Sequence, residues 1–388
     1  MRAGQFTDSY LPIVNGVSIF IQLFRQALEK LGHSPVIFTF GHTDRRDSEP
    51  NIVRSPGVKL GNTGYHIALR HTRSATALAE TMDVIHTHHP FLSGRLAAQL
   101  CRRLNKPLIF TNHSRYDYYA GYYLPFLPRR VAVGLVGASM RRFAAQCDLI
   151  LAVSPAAESM LRSFGIKTPI EIMLNGTDLE RFKHAEPFER AKLDIPGDAF
   201  VFMYVGRLGP EKNLSTLLES FAHTLQHVPR ARLVVIGGGP RSDALTSQAR
   251  ALEVSDKVHF LGMRPNDTIP SLLGAADAFV TASITEGHPM TIIEALAAGQ
   301  PVLGFDVPGI REAVDDGVDS MLAPHDARAL GDLMIRIAST PELRARLSEG
   351  ARRSSQRYDM DVTARRIVDH YERLIREKGR SARPATAR

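Results

Sequence analysis

The chain has 388 residues, 44% of them hydrophobic and 23% charged. That length exceeds what one hydrophobic core ordinarily serves, so two domains are expected, and the balance excludes the disordered and disulfide-stapled classes. The formal net charge of +8 suits nucleic acid, an anionic membrane or an anionic substrate without choosing among them. Cys101 and Cys147 are the only cysteines; they have no metal or redox spacing and fit a reducing compartment. No apolar run approaches the roughly 18–20 residues of a membrane span, and the first residues lack a signal-peptide pattern.

The segment "FTDSYLPIVNGVSIF" sets Asn15-Gly16 before a helix expected over 17–31. A glycine there permits close backbone approach, and the helix N-terminus favours an anion; a plain turn glycine is the ordinary alternative. Strands are expected at 35–40, 83–88, 107–112, 148–153 and 170–174, with helices at 92–104 and 129–146. A second series of strands follows at 200–206, 231–237, 257–262, 278–283 and 301–305. Continuous apolar strands separated by helices imply parallel sheets covered on both faces. The polar stretch 175–198 divides the two series. The expected division is therefore a domain over 1–174 and a second over 175–360. A helix over 361–378 is expected to pack back on the first domain, ahead of a disordered tail at 379–388. The fold class is α/β, two Rossmann-like doubly wound domains facing across a cleft where strand C-termini and helix N-termini converge.

Loops after these strands carry the chemistry. In "YVGRLGPEKNLSTLLESF", Arg207 and Lys212 lie between a strand and a helix, a suitable diphosphate clamp. "VIGGGPRSDAL" is like a dinucleotide fingerprint, but its spacing is not GxGxxG. The next strand ends in Met263-Arg264 rather than an acid for a ribose hydroxyl, so NAD is discounted. "ITEGHPMTIIEALAAG" places Glu286 in a loop and Glu294 inside a helix expected over Pro289–Ala298, with Gly299 as its stop. Glu294 shares its face with Met290, Thr291, Ala297 and Ala298, small or uncharged residues that suit a ligand floor better than an outer surface. The amides at Met290-Thr291 offer phosphate contacts. Cations and amides for a diphosphate, with carboxylates for hydroxyls, describe a nucleotide-sugar site. His86, His88 and His89 are read as a strand end facing the cleft, because no carboxylate or cysteine is spaced with them for a metal. The only Asp-x-Asp, Asp359-Met-Asp361, lies beside the final helix. No metal cofactor is expected.

"GRLGPEKN" is followed about eighty residues later by "EGHPMTIIEALAAGQPVLGFDVPGIREAVDDG", with "HTHHP", "FTNH" and "NGTD" before them. The combination resembles the retaining glycosyltransferases of family four, which have the GT-B fold, and the likeness runs over nearly the whole chain. It implies that Arg207 and Lys212 hold the donor diphosphate, that Gly16 approaches it, and that Glu294 binds the ribose hydroxyls. It also implies that Glu286, with Gly287, His288, Met290 and Thr291, holds the transferred sugar, and that Met263 belongs to the donor site. His288 departs from the aromatic or other apolar residue common at that position.

"FTDSYLPIVNGV", "HTHHPF" and "FTNHSRYDYY" more narrowly resemble the branch that glycosylates lipids, such as diacylglycerol glucosyltransferases and phosphatidylinositol mannosyltransferases. In that branch His113 matches a histidine lining the reaction centre, and Asp8, Tyr10, His88 and Tyr116 fall on the acceptor side. Residues 116–126 hold half of the chain's ten tyrosines, followed by Arg129, Arg130, Arg141 and Arg142 around an apolar helix. Aromatics beside paired arginines suit an anionic membrane, the alternative being core tyrosines and snorkelling arginines. The expectation is a peripheral enzyme on the cytoplasmic face of the membrane. It would move glucose from UDP-glucose to diacylglycerol or a related glycolipid, by front-face attack with His113, Glu286, Arg207 and Lys212 at the centre. GDP-mannose with a phosphatidylinositol acceptor, a soluble acceptor, and a non-catalytic nucleotide-binding module are the alternatives. No nucleic-acid partner is expected, since no RNA-binding motif occurs.

Overall fold

A computed structural model describes residues 1–41, 51–59, 66–68 and 70–381. It forms two compact units, Met1–Asn175 with Met360–Arg388, and Gly176–Asp359. Among the described residues no helix is long and apolar enough to cross a membrane.

The first unit is built on seven parallel strands. Their order across the sheet is Ile52–Ser55, Ser34–Phe40, Arg2–Phe6, Val84–Thr87, Leu108–Asn112, Leu149–Ala152 and Ile170–Ile172. Apolar runs at the centre, such as Ile37-Phe38 and Ile109-Phe110, are fully buried because helices cover both faces. The order reverses between Arg2–Phe6 and Val84–Thr87, so the loops that follow these two strands emerge side by side, as ligand sites of open α/β sheets do. A short antiparallel pair, Val58–Lys59 with His66–Ile67, lies apart from the sheet.

Five of these strands and pairs are additions to the sequence expectation: Arg2–Phe6, Ile52–Ser55, Val58–Lys59, His66–Ile67 and, in the second unit, Ser320–Ala323. Arg2–Phe6, "RAGQF", has no apolar run. It is buried by position, and a side chain at Gly4 would come within 3.0 Å of Ile85 and Met82.

The final helix is Met360–Ser381, longer than the expected 361–378. The expectation of disorder from 379 is therefore corrected for Gly379–Ser381, and 382–388 lie outside the described residues. The helix docks on the first unit through Lys30–Asp361 at 3.6 Å, through His370 and Arg373 on Glu171, and through the fully buried Tyr371.

The second unit has six parallel strands in the order Val258–Gly262, Ala231–Ile236, Phe200–Val205, Ala278–Val280, Val302–Phe305 and Ser320–Ala323. Its reversal lies between Phe200–Val205 and Ala278–Val280. The loops that leave there carry Arg207 and Lys212 on one side and Glu286 on the other.

Candidate functional site

Two clusters of polar side chains form, one at the strand-order reversal of each unit. In the second unit, Lys212 Nζ lies 2.5 Å from Glu286 Oε1, both side chains mostly buried. Arg207 is 67% exposed, with Nη1 3.9 Å from Oε1 of the buried Glu211. Tyr204 supports this loop from below by donating from its hydroxyl to the Arg207 carbonyl at 3.1 Å. Burial, followed by the charges of Glu286 and Glu211, pushes the Tyr204 hydroxyl far above its ordinary range, which keeps it a neutral donor. Gly309, at φ +86°, backs the opposite loop: a Cβ there would sit 2.3 Å from the Glu286 carbonyl oxygen.

The three glycines 237–239 serve the protein rather than a cofactor. Gly237, at φ +137°, lies so close to the Arg207 loop that a Cβ would come within 1.8 Å of the Gly206 carbonyl oxygen. Leu208 N–H donates to the Gly238 carbonyl at 2.9 Å. Close approach of the two backbone loops thus accounts for glycine at 237. Met263, 61% exposed, follows the neighbouring strand and packs its side chain near Gly238.

The helix after Glu286 spans Met290–Ala297 with Pro289 as its cap, one residue shorter at each end than expected. Gly299, at φ +73°, ends it. No side chain caps its N-terminus, which leaves the amides of Met290 and Thr291 without intrahelical acceptors. Glu294 is 5% exposed, and its carboxyl makes no side-chain hydrogen bond among the described residues. Burial pushes its carboxyl up to about 7, and the Arg181 guanidinium opposes that rise only in part. Arg181 lies on the helix Leu179–Lys183 and donates to the Asn266 carbonyl at 2.9 Å. His288 is buried, its ring 5.4 Å from that of Tyr358. Burial, then Arg357, pushes it down to about 3, so it is a neutral ring packed where an aromatic residue would fit. Its side chain is turned into the protein; the half-buried Gly287 beside it leaves backbone on the outside.

In the first unit, Gly16 is exposed and opens the helix Gly16–Lys30. Asn15 caps that helix by accepting from the Ser18 N–H at 2.9 Å. Gly16 is already helical, so the turn itself does not require glycine. His88 lies 3.1 Å from His113, Nδ1 to Nε2, and 2.9 Å from Gln5, Nε2 to Oε1. His86 bonds Tyr371 through Nδ1 at 2.5 Å and Thr111 through Nε2 at 2.6 Å. With every nitrogen of His86 and His88 engaged, these rings are not disposed as metal ligands. No group of three or more His, Cys, Asp or Glu among the described residues is arranged to hold a metal ion. Burial foremost, and for His88 and His113 the neighbouring imidazoles, hold all three rings well below the usual histidine range. Of the three, His113 alone is partly exposed.

The residues expected on the acceptor and membrane side fall in different environments. Asp8 accepts from the Ser93 N–H at 2.7 Å, which seats its charge at the start of the helix Leu92–Leu104. Tyr10 and Tyr116 are each 2% exposed, and Tyr116 packs edge-on against Phe91. Neither tyrosine faces a surface. Arg141 donates to the Phe164 carbonyl at 3.2 Å and is tied to the domain. Arg141 is nevertheless exposed, as are Arg129, Arg130 and Arg142 on the helix Arg129–Ala144. Beside them lies an apolar row absent from the sequence reading, with Phe126 96% exposed, Val131 49% and Leu135 52%. The spacing of 131 and 135 was its only signal. Arg181, Gln5 and Tyr371 were also missed, since no motif marks them, and Tyr204 and Glu211 stand inside "YVGRLGPEKN" without having been singled out.

Comparison with known proteins follows the same division. Residues 14–181 match the family model described as Glycosyltransferase Family 4, and residues 185–354 the one described as Glycosyl transferases group 1. The chain is 30% identical over 353 residues to an alpha-monoglucosyldiacylglycerol synthase of Streptococcus pneumoniae, covering 88% of this chain and 80% of that one. It is 27% identical over 391 residues to the enzyme of the same name from Acholeplasma laidlawii, covering 97% and 98%. Among solved structures, Anabaena HepE in complex with UDP and glucose superposes with a TM-score of 0.79 at 19% identity, over 96% of this chain and all of that one.

Proposed function

The chain belongs to the family 4 glycosyltransferases of GT-B fold, and from that membership we propose that it transfers glucose from UDP-glucose to diacylglycerol or a related glycolipid, with retention of configuration. The observation that carries the lipid reading is the exposed row Phe126, Leu127, Val131 and Leu135 flanked by Arg129, Arg130 and Arg142. Arg129 and Arg130 occupy the first turn of their helix, where the macrodipole disfavours cations by about 0.3–1 kcal/mol each. That placement costs the fold and suits an anionic bilayer, into whose interface the apolar row would insert. Two relatives named as synthases of a glucosyl diacylglycerol support the same acceptor class. The enzyme would be peripheral on the cytoplasmic face, which the free, buried thiols of Cys101 and Cys147 suit.

For the donor, Arg207 and Lys212 meet the charge that grows on the leaving diphosphate, aided by the amides of Met290 and Thr291. Glu286 accepts from the sugar hydroxyls while it shares Lys212. Glu294 accepts from the ribose hydroxyls as a carboxylate. In front-face attack the acceptor oxygen bonds to C1 on the side from which the diphosphate leaves, and the leaving phosphate oxygen takes the acceptor proton. His113, partly exposed, lies on the acceptor side. No metal is required in this account. The test is flotation of the protein with anionic and with zwitterionic vesicles: recovery with the anionic ones alone supports the reading, and recovery with neither sinks the membrane acceptor.

A further inference from the structure

Six side chains distant in sequence form one hydrogen-bonded file inside the first unit. Thr111 meets His86, His86 meets Tyr371, Tyr371 meets Gln5, Gln5 meets His88, and His88 meets His113, at separations of 2.5–3.1 Å throughout. Tyr371 comes from the final helix and Gln5 from the central strand, 366 residues apart. We propose that Tyr371 is a positioning residue, fixing through Gln5 and His88 which nitrogen of His113 carries the proton. The inference rests on the reading that His113 lies at the reaction centre.

The assignment follows from donor and acceptor capacity. An amide NH₂ only donates and an amide oxygen only accepts. Gln5 presents Nε2 to the Tyr371 oxygen and Oε1 to His88. His88 therefore carries its proton on Nε2 and offers the Nδ1 lone pair, so His113 donates to it from Nε2. In the other direction, Tyr371 has accepted from Gln5 and donates its own proton to His86 Nδ1, and His86 donates from Nε2 to Thr111. His86 and His88 each then make one donation and one acceptance, which is the capacity of a neutral ring. Burial of the file keeps the rings neutral. The consequence is at the partly exposed end: His113 keeps its lone pair on Nδ1, and because Asn175 also hydrogen-bonds this ring, an incoming hydroxyl shares or displaces that contact. Were Gln5 reversed, every proton in the file would move to the other side, and His113 would present an N–H instead. A tyrosine hydroxyl can donate or accept, so the Gln5 amide sets the direction; the Tyr371 hydroxyl holds that amide in place at 3.1 Å, as an orienting partner holds a working histidine.

The test removes that hydroxyl alone. Histidine side-chain nitrogen NMR on the full chain, with each ring identified by its substitution, reads the tautomers directly; steady-state kinetics are measured beside it. The wild type should show His86, His88 and His113 all protonated on Nε2. Tyr371→Phe should convert His88 and His113 to tautomer mixtures and lower kcat by about tenfold or more, with donor KM held within about twofold. Gln5→Met, which interrupts the file without touching the helix, should do the same if Tyr371→Phe is poorly folded. A wild-type His113 protonated on Nδ1 overturns the proposal. So does a variant whose tautomers or kcat stay at wild-type values, including one that loses activity with its tautomers intact. The tautomers are read without substrate, so a wild type that transfers no sugar counts against the proposed reaction and leaves the file testable.

Discussion

Lys212 Nζ and Glu286 Oε1, 2.5 Å apart, join the two loops that leave the second sheet at its strand-order reversal. The pair has two consequences, one for chemistry and one for stability. The lysine is held in place before any donor arrives, so little ordering remains to be done in the transition state. Arg207, largely exposed, is held more loosely, by a 3.9 Å pair with Glu211.

Lys212→Ala and Arg207→Ala should each lower turnover by roughly a hundredfold, with a smaller effect on donor affinity, because charge grows on the leaving phosphate. They should differ in stability. Removal of Lys212 leaves the mostly buried Glu286 carboxylate unpaired and lowers Tm. Removal of Arg207 breaks a longer pair, 3.9 Å to Glu211 with the arginine 67% exposed, and lowers Tm less. Kinetics with thermal unfolding check both; equal Tm values for the two variants would remove the structural half of this account.

Glu294 predicts opposite pH trends for stability and binding. Burial raises its pKa in the folded chain to about 7 from an ordinary glutamate value of 4.5, so folding prefers the protonated acid. The favourable contribution is complete below pH 4.5 and is lost as pH rises through 7, where ionisation costs up to about 3 kcal/mol. Glu294→Gln should therefore be more stable than wild type at pH 8.5 and no more stable at pH 4.5. Ribose hydroxyls need the carboxylate, so wild-type donor KM should fall from pH 6 to 8 while the glutamine variant stays weak and flat. Identical pH–stability curves would show that Glu294 is solvated.

Much of this site was legible because punctuation follows apolar runs. Glycine, cations and proline after the strands ending at Val205 and Val280 marked the two loops, and their continuous hydrophobicity implied the parallel sheet. What remained hidden has physical causes. Arg2–Phe6 has no strand pattern and is buried by its neighbours. Tyrosines carry an apolar body with a polar tip, so the cluster at 116–123 says nothing about direction, and Tyr116 points into the core. An arginine count does not reveal that Arg141 is tied to a carbonyl. The contact from Gln5 to Tyr371 depends on the final helix, which no local pattern places.

Chelation should leave activity in place, because Arg207, Lys212 and helix amides meet the diphosphate charge in this account. Activity measured in EDTA and after added Mg²⁺ or Mn²⁺ checks it. Loss in EDTA with recovery on metal alone would refute it.

On the helix Arg129–Ala144, substitutions should separate by role. Arg129, Arg130 and Arg142 replaced together by glutamine should weaken flotation on anionic vesicles by orders of magnitude, since each basic residue contributes about 1 kcal/mol. High salt should mimic the change. Phe126→Ser with Leu135→Ser should weaken binding to the same vesicles without altering its salt dependence. Arg141→Gln should leave binding intact and lower Tm. Equal flotation of the triple variant and wild type would end the membrane role of this helix.

The most direct test of the central claim is transfer of radiolabel from UDP-glucose into the organic phase, with diacylglycerol in anionic vesicles as acceptor and GDP-mannose, phosphatidylinositol and soluble acceptors run in parallel. The account predicts an organic-soluble glucosyl diacylglycerol whose anomeric configuration is that of the donor. Label that reaches only a water-soluble product, or a product of inverted configuration, would contradict it.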